Sequence, residues 1–315
     1  MSVNRNVLVV SRVRLDDGAS LTADACRYLI AHGLIPVLTP LEHTQTLENS
    51  PQLSLDDQPY GLNRDDYRLL GEDVAESDLE VVLVLGGDGS ILKAAEIVRQ
   101  SSTPLVGVNL GHVGFLAEGE RHQLQEIVER IAKRDYEVTE RLALDVDVFV
   151  DGSKVFSTWA LNEATVEKSA RERMLEVVIE VEGHPLSSFG CDGVVMSTPT
   201  GSTAYAFSAG GPVVWPSVDA LLMVPLSAHA LFSRPLVVNP EAMLAVEVLK
   251  RSAGTGVLWC DGRRTYELAP GARVEVRKSA SPVRILKISD APFTSRLVNK
   301  FALPVAGWRG PRDNS

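Results

Sequence analysis

Cysteine is scarce. Only Cys26, Cys191 and Cys260 occur in 315 residues, widely spaced and without a CxxC pair, which argues against a disulfide framework or a zinc knuckle. Long apolar runs are missing as well: no stretch reaches the roughly 18 apolar residues that a membrane helix needs. The opening MSVNRNVLVVSR holds an apolar run too short for a signal-peptide core, and no cleavage site follows it. Positive charge is in deficit, 31 Lys and Arg against 41 Asp and Glu, for a formal net charge of −10. Such a balance speaks against a surface built to grip nucleic acid or anionic lipid. Two nucleotide-binding signatures are also absent. There is no Gly-Lys dipeptide for a Walker A loop and no G-x-G-x-x-G fingerprint, which weakens a dehydrogenase reading. The expectation from these absences is a soluble cytoplasmic protein with neither a nucleic-acid nor a membrane partner.

What is present suits a folded chain: 45% of residues are hydrophobic and 23% charged, enough apolar surface to bury a core. The length allows one large domain or two ordinary ones. Up to about residue 140 the pattern alternates strand and helix. Asn6–Val10 is a short apolar run, Ala23 to His32 is helix-like and closed by Gly33, and Leu34–Leu38 reads as a second strand. A polar stretch from Glu42 to Asp66 reads as an exposed loop. Leu79–Leu85 (LEVVLVL) is apolar and β-branched apart from Glu80, as a parallel strand covered on both faces requires. A helix over Ile91–Arg99, a strand at Pro104–Val108 and an amphipathic helix from Leu124 to Arg134 follow. This rhythm predicts a doubly wound α/β domain over 1–140.

After Tyr136 the pattern changes. Leu142–Val150 alternates apolar and acidic residues, and Asp151-Gly152 separates it from Val155–Leu161, a hairpin signal. Further strands are expected at Leu175–Glu182, Ala245–Leu249, Val257–Trp259, Arg273–Val276 and Val283–Ile288. Together they predict a second, mostly antiparallel β domain over 141–290.

Four segments carry candidate chemistry. Gly86-Gly87-Asp88-Gly89-Ser90 falls where the buried strand stops and a helix begins. Ligands bind at the carboxyl ends of such strands. Glycines there allow positive φ and close approach of a ligand, and the following helix N-terminus favours an anion. Asp88 then either caps the helix, binds a metal or removes a proton. The Asn109–Leu116 loop follows the next strand; its Leu110 and Phe115 either wall an aromatic ring or sit in the core, and His112 is more simply a structural loop histidine. Asn162-Glu163 ends another strand and could grip vicinal sugar hydroxyls if the strand breaks there. The run Ser197–Ser202 is small, hydroxylic or Gly/Pro throughout. Ser202 or Thr203 could cap a helix through Ala204–Ser208, placing Tyr205 to stack on a purine. Cys191 and Cys260 read as small buried fillers.

In this order and spacing the blocks resemble the NAD kinase family, which makes NADP from NAD with ATP or polyphosphate. The resemblance is carried by Gly86–Gly89, Asn109–Leu116, Asn162-Glu163 and Cys191–Pro212. It extends through Ala228–Val237 and Cys260-Asp261-Gly262 to Leu297–Trp308. It implies a Rossmann-like, phosphofructokinase-like first domain, to which residues 291–315 return, and a β-rich second domain that binds NAD and forms homodimers or homotetramers. It further implies Asp88 as general base on the 2′-hydroxyl of the adenosine ribose, with Gly86, Gly87 and Gly89 close to the phosphates. Asn162 and Glu163 would hold ribose hydroxyls. Asp192, Thr203, Ala204, Tyr205, Ala206, Phe207 and Ser208 would line the NAD pocket. Lys93 and Arg173 match ligand-contacting positions, although many relatives carry Arg where this chain has Lys93. A divalent cation, magnesium, is the implied cofactor, with no protein residue assigned as its ligand. Since GGDG also occurs in diacylglycerol-type lipid kinases, a lipid kinase is one alternative; a non-catalytic nucleotide-binding regulator is another.

Overall fold

The computed structural model describes residues 5–11, 18–44, 62–111, 114–171, 173–288 and 291–305. His112, Trp308 and most of the polar stretch assigned to a loop, residues 45–61, lie outside the described residues. The chain divides into two compact units, Met1–Glu140 with Arg284–Ser315, and Arg141–Val283.

The first unit runs β1 (Asn6–Ser11), α1 (Gly18–Ala31), β2 (Ile35–Leu38), α2 (Pro40–His43), β3 (Arg68–Leu69), β4 (Leu79–Leu85), α3 (Asp88–Ile97), β5 (Leu105–Asn109), β6 (Gly119–Glu120), α4 (Leu124–Lys133) and β7 (Glu137–Arg141). Its sheet has the order β3-β2-β1-β4-β5, then a strand from the C-terminal segment, then β7, with β6 paired to β5. Strands β1, β2, β4 and β5 are mutually parallel. On one face Val7, Val9, Leu83, Leu85, Val106 and Val108 pack with Leu29 of α1 and Ile127 and Ile131 of α4. On alternate positions Leu8, Val10, Val82 and Val84 are fully buried too, so both faces of the sheet are covered, as the apolar run Val81–Leu85 of β4 requires. Helix α1 ends ahead of Gly33, which takes φ +74°, and α4 ends at Arg134 in the left-handed conformation.

The second unit contains β8 (Leu144–Val150), β9 (Ser153–Ala160), β10 (Glu163–Lys168), β11 (Leu175–Val181), β12 (His184–Cys191), β13 (Gly193–Ser197), α5 (Tyr205–Ser208), β14 (Leu221–Leu226), β15 (Leu236–Val238), β16 (Leu244–Val248), β17 (Gly256–Cys260), β18 (Arg264–Leu268) and β19 (Arg273–Lys278). These strands form two six-stranded sheets, β15-β14-β13-β10-β17-β18 and β12-β11-β16-β19-β8-β9, antiparallel at each register. One core joins them, with Val166, Val194, Met196 and Leu258 of the first sheet against Val146, Val177, Val246 and Val274 of the second. Asp151 and Gly152 both take positive φ, +47° and +77°, the conformation that a two-residue hairpin needs.

The remaining elements are β20 (Val283–Lys287) and α6 (Phe293–Phe301). Here the sequence expectation is corrected: the strand at Val283–Ile288 does not continue the antiparallel unit. It pairs parallel to β5, Ile285 opposite Leu105, and lies between β5 and β7. A short apolar run signals a strand without naming its sheet.

Candidate active site

In the first unit, α3 starts at the carboxyl end of β4, with Gly87 as its N-cap and Asp88 as its first residue. None of Gly86, Gly87 and Gly89 takes positive φ, contrary to the sequence expectation; Gly87 has φ −85°. Their value is space: a Cβ on Gly87 or Gly89 would meet nothing within 4 Å, so the backbone of the turn is open to a ligand. Asp88 does not cap the helix with its side chain. Its carboxylate turns to the loop after β5 and accepts from the amides of Phe115, to Oδ2, and Leu116, to Oδ1, each at 3.1 Å. Gly114 makes this contact possible, because a Cβ there would lie 2.4 Å from Asp88 Oδ1. Two consecutive amides fix the carboxylate and satisfy one lone pair on each oxygen, leaving the others for a proton.

Phe115 is a core residue, 8% exposed, with its ring tilted against Phe293 and Phe301 of α6 at 5.8 and 5.9 Å between centroids. It does not wall a ligand ring. Leu110 packs at the edge of the first core. Lys93, on α3, places Nζ 3.4 Å from Oε1 of Glu42, whose side chain is fully buried. Its ammonium therefore offsets a buried carboxylate.

In the second unit, β9 ends at Ala160 and β10 begins at Glu163, so the chain turns at Leu161-Asn162, the strand break that a shared grip demands. That turn is held from two sides. Asp261, after β17, accepts from the amides of Leu161 at 2.9 Å, Asn162 at 2.7 Å and Glu163 at 3.4 Å, and from Arg264 at 2.8 Å. Arg264 lies over the Trp159 ring at 4.6 Å. From the other side Thr198 donates its hydroxyl to the Leu161 carbonyl at 2.6 Å, and Ser197 donates to the Asn162 carbonyl at 3.1 Å. Thr198 also accepts from the Gly201 amide. The small-residue run is thus structural in part. Ser197 and Thr198 lock the turn, and Gly201 passes where a Cβ would sit 2.1 Å from the Asn162 oxygen.

The helix cap expected from Ser202 or Thr203 does not form. A 3₁₀ turn, Thr200–Thr203, precedes α5, whose N-cap is Ala204 with no side-chain hydrogen bond. Ser202 instead accepts from the Val214 amide at 2.9 Å and donates to its carbonyl at 3.2 Å. On the single turn of α5, Ala206 is buried while Tyr205 and Phe207 are 38% and 40% exposed; Ser208 is exposed as well. The Tyr205 amide donates to Glu163 Oε2 at 3.4 Å. Burial pushes the Glu163 carboxyl up to about 8, helped by the nearby Asp261 and Glu167. A protonated carboxyl both donates and accepts, as a pair of sugar hydroxyls requires. Burial raises the Tyr205 phenol, with the negative charges of Glu167, Glu163 and Asp192 adding to it. These residues therefore share one neighbourhood. Asp192 is ion-paired to Lys168 at 2.5 Å, which holds its carboxyl below the usual range. Arg173 donates to the Ala253 carbonyl at 2.6 Å.

Sequence alone assigns no role to Asp261, Thr198 or Gly114. Only the Asp261-Gly262 turn, with φ +53° and +63°, carries a local hairpin signal. Cys191 and Cys260 are buried and free, and burial pushes both thiols up to about 12, so they are inert fillers.

Residues 7–136 match the model of the ATP-NAD kinase N-terminal domain, and residues 161–288 that of the ATP-NAD kinase C-terminal domain. The chain is 57% identical over 311 residues to an NAD kinase of Leifsonia xyli subsp. xyli, covering 99% of both chains. It is 63% identical over 231 residues to NAD kinase 2 of Streptomyces coelicolor, covering 73% of this chain and 76% of that one. Among solved structures, yeast NADH kinase complexed with NADH has a TM-score of 0.83 at 20% identity, covering 98% of this chain and 90% of that one. An NAD kinase from Archaeoglobus fulgidus in complex with ATP has a TM-score of 0.68 at 21% identity, covering 95% and 100%; at such identity these two speak to the fold. Matched in both domains, and along nearly its whole length by the Leifsonia relative, the chain belongs to the ATP-NAD kinase family.

Proposed function

We propose that this member of the family phosphorylates the 2′-hydroxyl of the adenosine ribose of NAD with ATP, giving NADP, and that Asp88 is the general base. One observation supports the assignment above others: Asp88 stands at the start of α3, beside an open glycine turn, with both oxygens oriented by the Phe115 and Leu116 amides. As the ribose oxygen attacks the γ-phosphorus, its proton passes to the carboxylate, the P–O bond to ADP breaks, and ADP leaves. Glycine backbone at a helix N-terminus steadies the phosphates. Asn162 and protonated Glu163 hold ribose hydroxyls, and Tyr205 covers a ring of the dinucleotide.

Among the described residues no group of three or more His, Cys, Asp or Glu could hold a metal ion. Magnesium in such a reaction is held through substrate phosphates and its own waters rather than by a protein cage. The cation neutralises phosphate charge when bound. Polyphosphate as a second donor is part of the proposal. So is a homo-oligomer through the second unit, where Leu231, Phe232, Trp215 and Val218 are large apolar side chains left exposed, material for an interface between copies.

The test is NADP formation from NAD, ATP and magnesium by wild type and Asp88→Asn. The variant should lose about 10²–10⁴-fold in rate while binding NAD within a few fold of wild type. Equal rates would remove Asp88 from the mechanism.

A further inference from the structure

The loop that holds Asp88 is itself held by a cation from the far end of the sequence. Arg296 of α6, with its side chain 15% exposed, donates Nη1 to the carbonyls of Phe115 at 2.9 Å and Ala117 at 2.8 Å. Its Nη2 donates to Glu118 Oε1 at 2.6 Å. Glu118 is anchored in turn, its amide donating to the Gly107 carbonyl at 2.9 Å and its other oxygen accepting from the Ile288 amide at 3.3 Å.

The Phe115 carbonyl and the Leu116 amide belong to one peptide group. In a trans peptide they point in opposite directions. Arg296 therefore grips one end of that group while the other end donates to Asp88 Oδ1. The aromatic contacts of Phe115 with Phe293 and Phe301 fix the same peptide sideways. Hydrogen bonds in series polarise one another, and a planar guanidinium meets two carbonyls and a carboxylate in a way that an ammonium cannot.

We infer that Arg296 is a positioning residue for phosphoryl transfer, setting the orientation of the Asp88 carboxylate through the Phe115–Leu116 peptide group. This rests on Asp88 being the base. Glu118 and Gly114 belong to the same device: one anchors the guanidinium and the other lets the loop reach the carboxylate. Every residue of this device lies in the first unit.

The experiment uses the full chain, saturating ATP and magnesium, and a titration of NAD. Arg296→Met should lose kcat by about ten- to a hundredfold, the size that a displaced catalytic group costs, with KM for NAD within about threefold of wild type. Arg296→Ala should regain part of its kcat on addition of guanidinium ion at non-denaturing concentration, which leaves wild type unchanged. An unaltered kcat in Arg296→Met overturns the inference. So does a loss of kcat matched by a rise in KM and not rescued by guanidinium, which would make Arg296 a purely structural residue. Should Arg296→Met fail to fold, Arg296→Lys decides by the same split: lowered kcat at constant KM supports the role, and wild-type kcat overturns it. Asp88→Asn, assayed alongside, separates the two ideas. If it is fully active, the assignment of the base fails; if it is inactive while Arg296→Met is unimpaired, only the role of Arg296 fails.

Discussion

Glu163 and Asp261 are buried neighbours that differ in the donors they meet. Asp261 accepts from three amides and Arg264, which together hold its negative charge against the burial that raises its carboxyl. Glu163 has a single long bond from the Tyr205 amide and faces the charges of Asp261 and Glu167, so the proton rests on Glu163, whose carboxyl titrates near 8 rather than the ordinary 4.5. A carboxyl raised on folding binds its proton more tightly in the native state, and stability then falls as pH rises between the unfolded and folded values. Wild type should therefore lose stability from about pH 4.5 to pH 8, and Glu163→Gln, which cannot ionise, should escape that part of the loss. The check is thermal unfolding of both proteins from pH 5 to pH 9. A Tm difference that stays constant across this range would show that folding does not raise the Glu163 carboxyl.

At the scale of elements, the site consists of strand ends tied by loops. The turn between β9 and β10 is pinned by residues at or just past the ends of β13 and β17, and the critical clearance is at Gly201. A methyl group there would meet backbone, the Asn162 oxygen at 2.1 Å and its carbon at 2.5 Å, as well as the Ser197 hydroxyl at 2.5 Å. Neither the turn nor β13 can yield without breaking the Ser197 and Thr198 hydrogen bonds. Gly201→Ala should cost about 1–3 kcal/mol of stability, the usual penalty of overpacking, and raise KM for NAD by displacing Asn162 and Glu163. Thermal denaturation and NAD titration read the two effects, and wild-type values for both would contradict the clearance argument. Some of these elements are legible in the sequence and others are not. Strand β4 has the bounds of its apolar run because burial on both faces leaves a single polar residue, Glu80 near its start. Strand β13, Gly193–Ser197, is buried at all five positions, yet in the sequence it merges into a small-residue ligand segment, because five residues with Gly at one end and Ser at the other carry no period.

For the molecule as a whole, the segment after Val283 is a structural part of the first unit. Strand β20 lies between β5 and β7, and α6 supplies Arg296 and the two rings around Phe115. Deleting residues 284–315 should leave the β5 edge unpaired at Leu105, where Ile285 lies opposite, and lower hydrogen-exchange protection in β5. Protection in the second unit, which has its own core, should persist. Retained protection at β5 would mean that the first unit closes without its C-terminal strand. No helix among the described residues is long and apolar enough to cross a membrane.

Periodicity, glycine placement and motif order determined the two-part architecture, the parallel sheet, the Asp151-Gly152 hairpin and the candidate base, because each is written in residues close together along the chain. Tertiary structure alone decided which groups orient that base and that turn. Asp261 reaches Leu161 across 100 residues and Arg296 reaches Phe115 across 181. No local pattern encodes such pairings, since they come from the packing of strands and helices that are distant in sequence. The same packing holds the proton on Glu163, whose acidity depends on burial and neighbouring charge and on nothing adjacent in the chain.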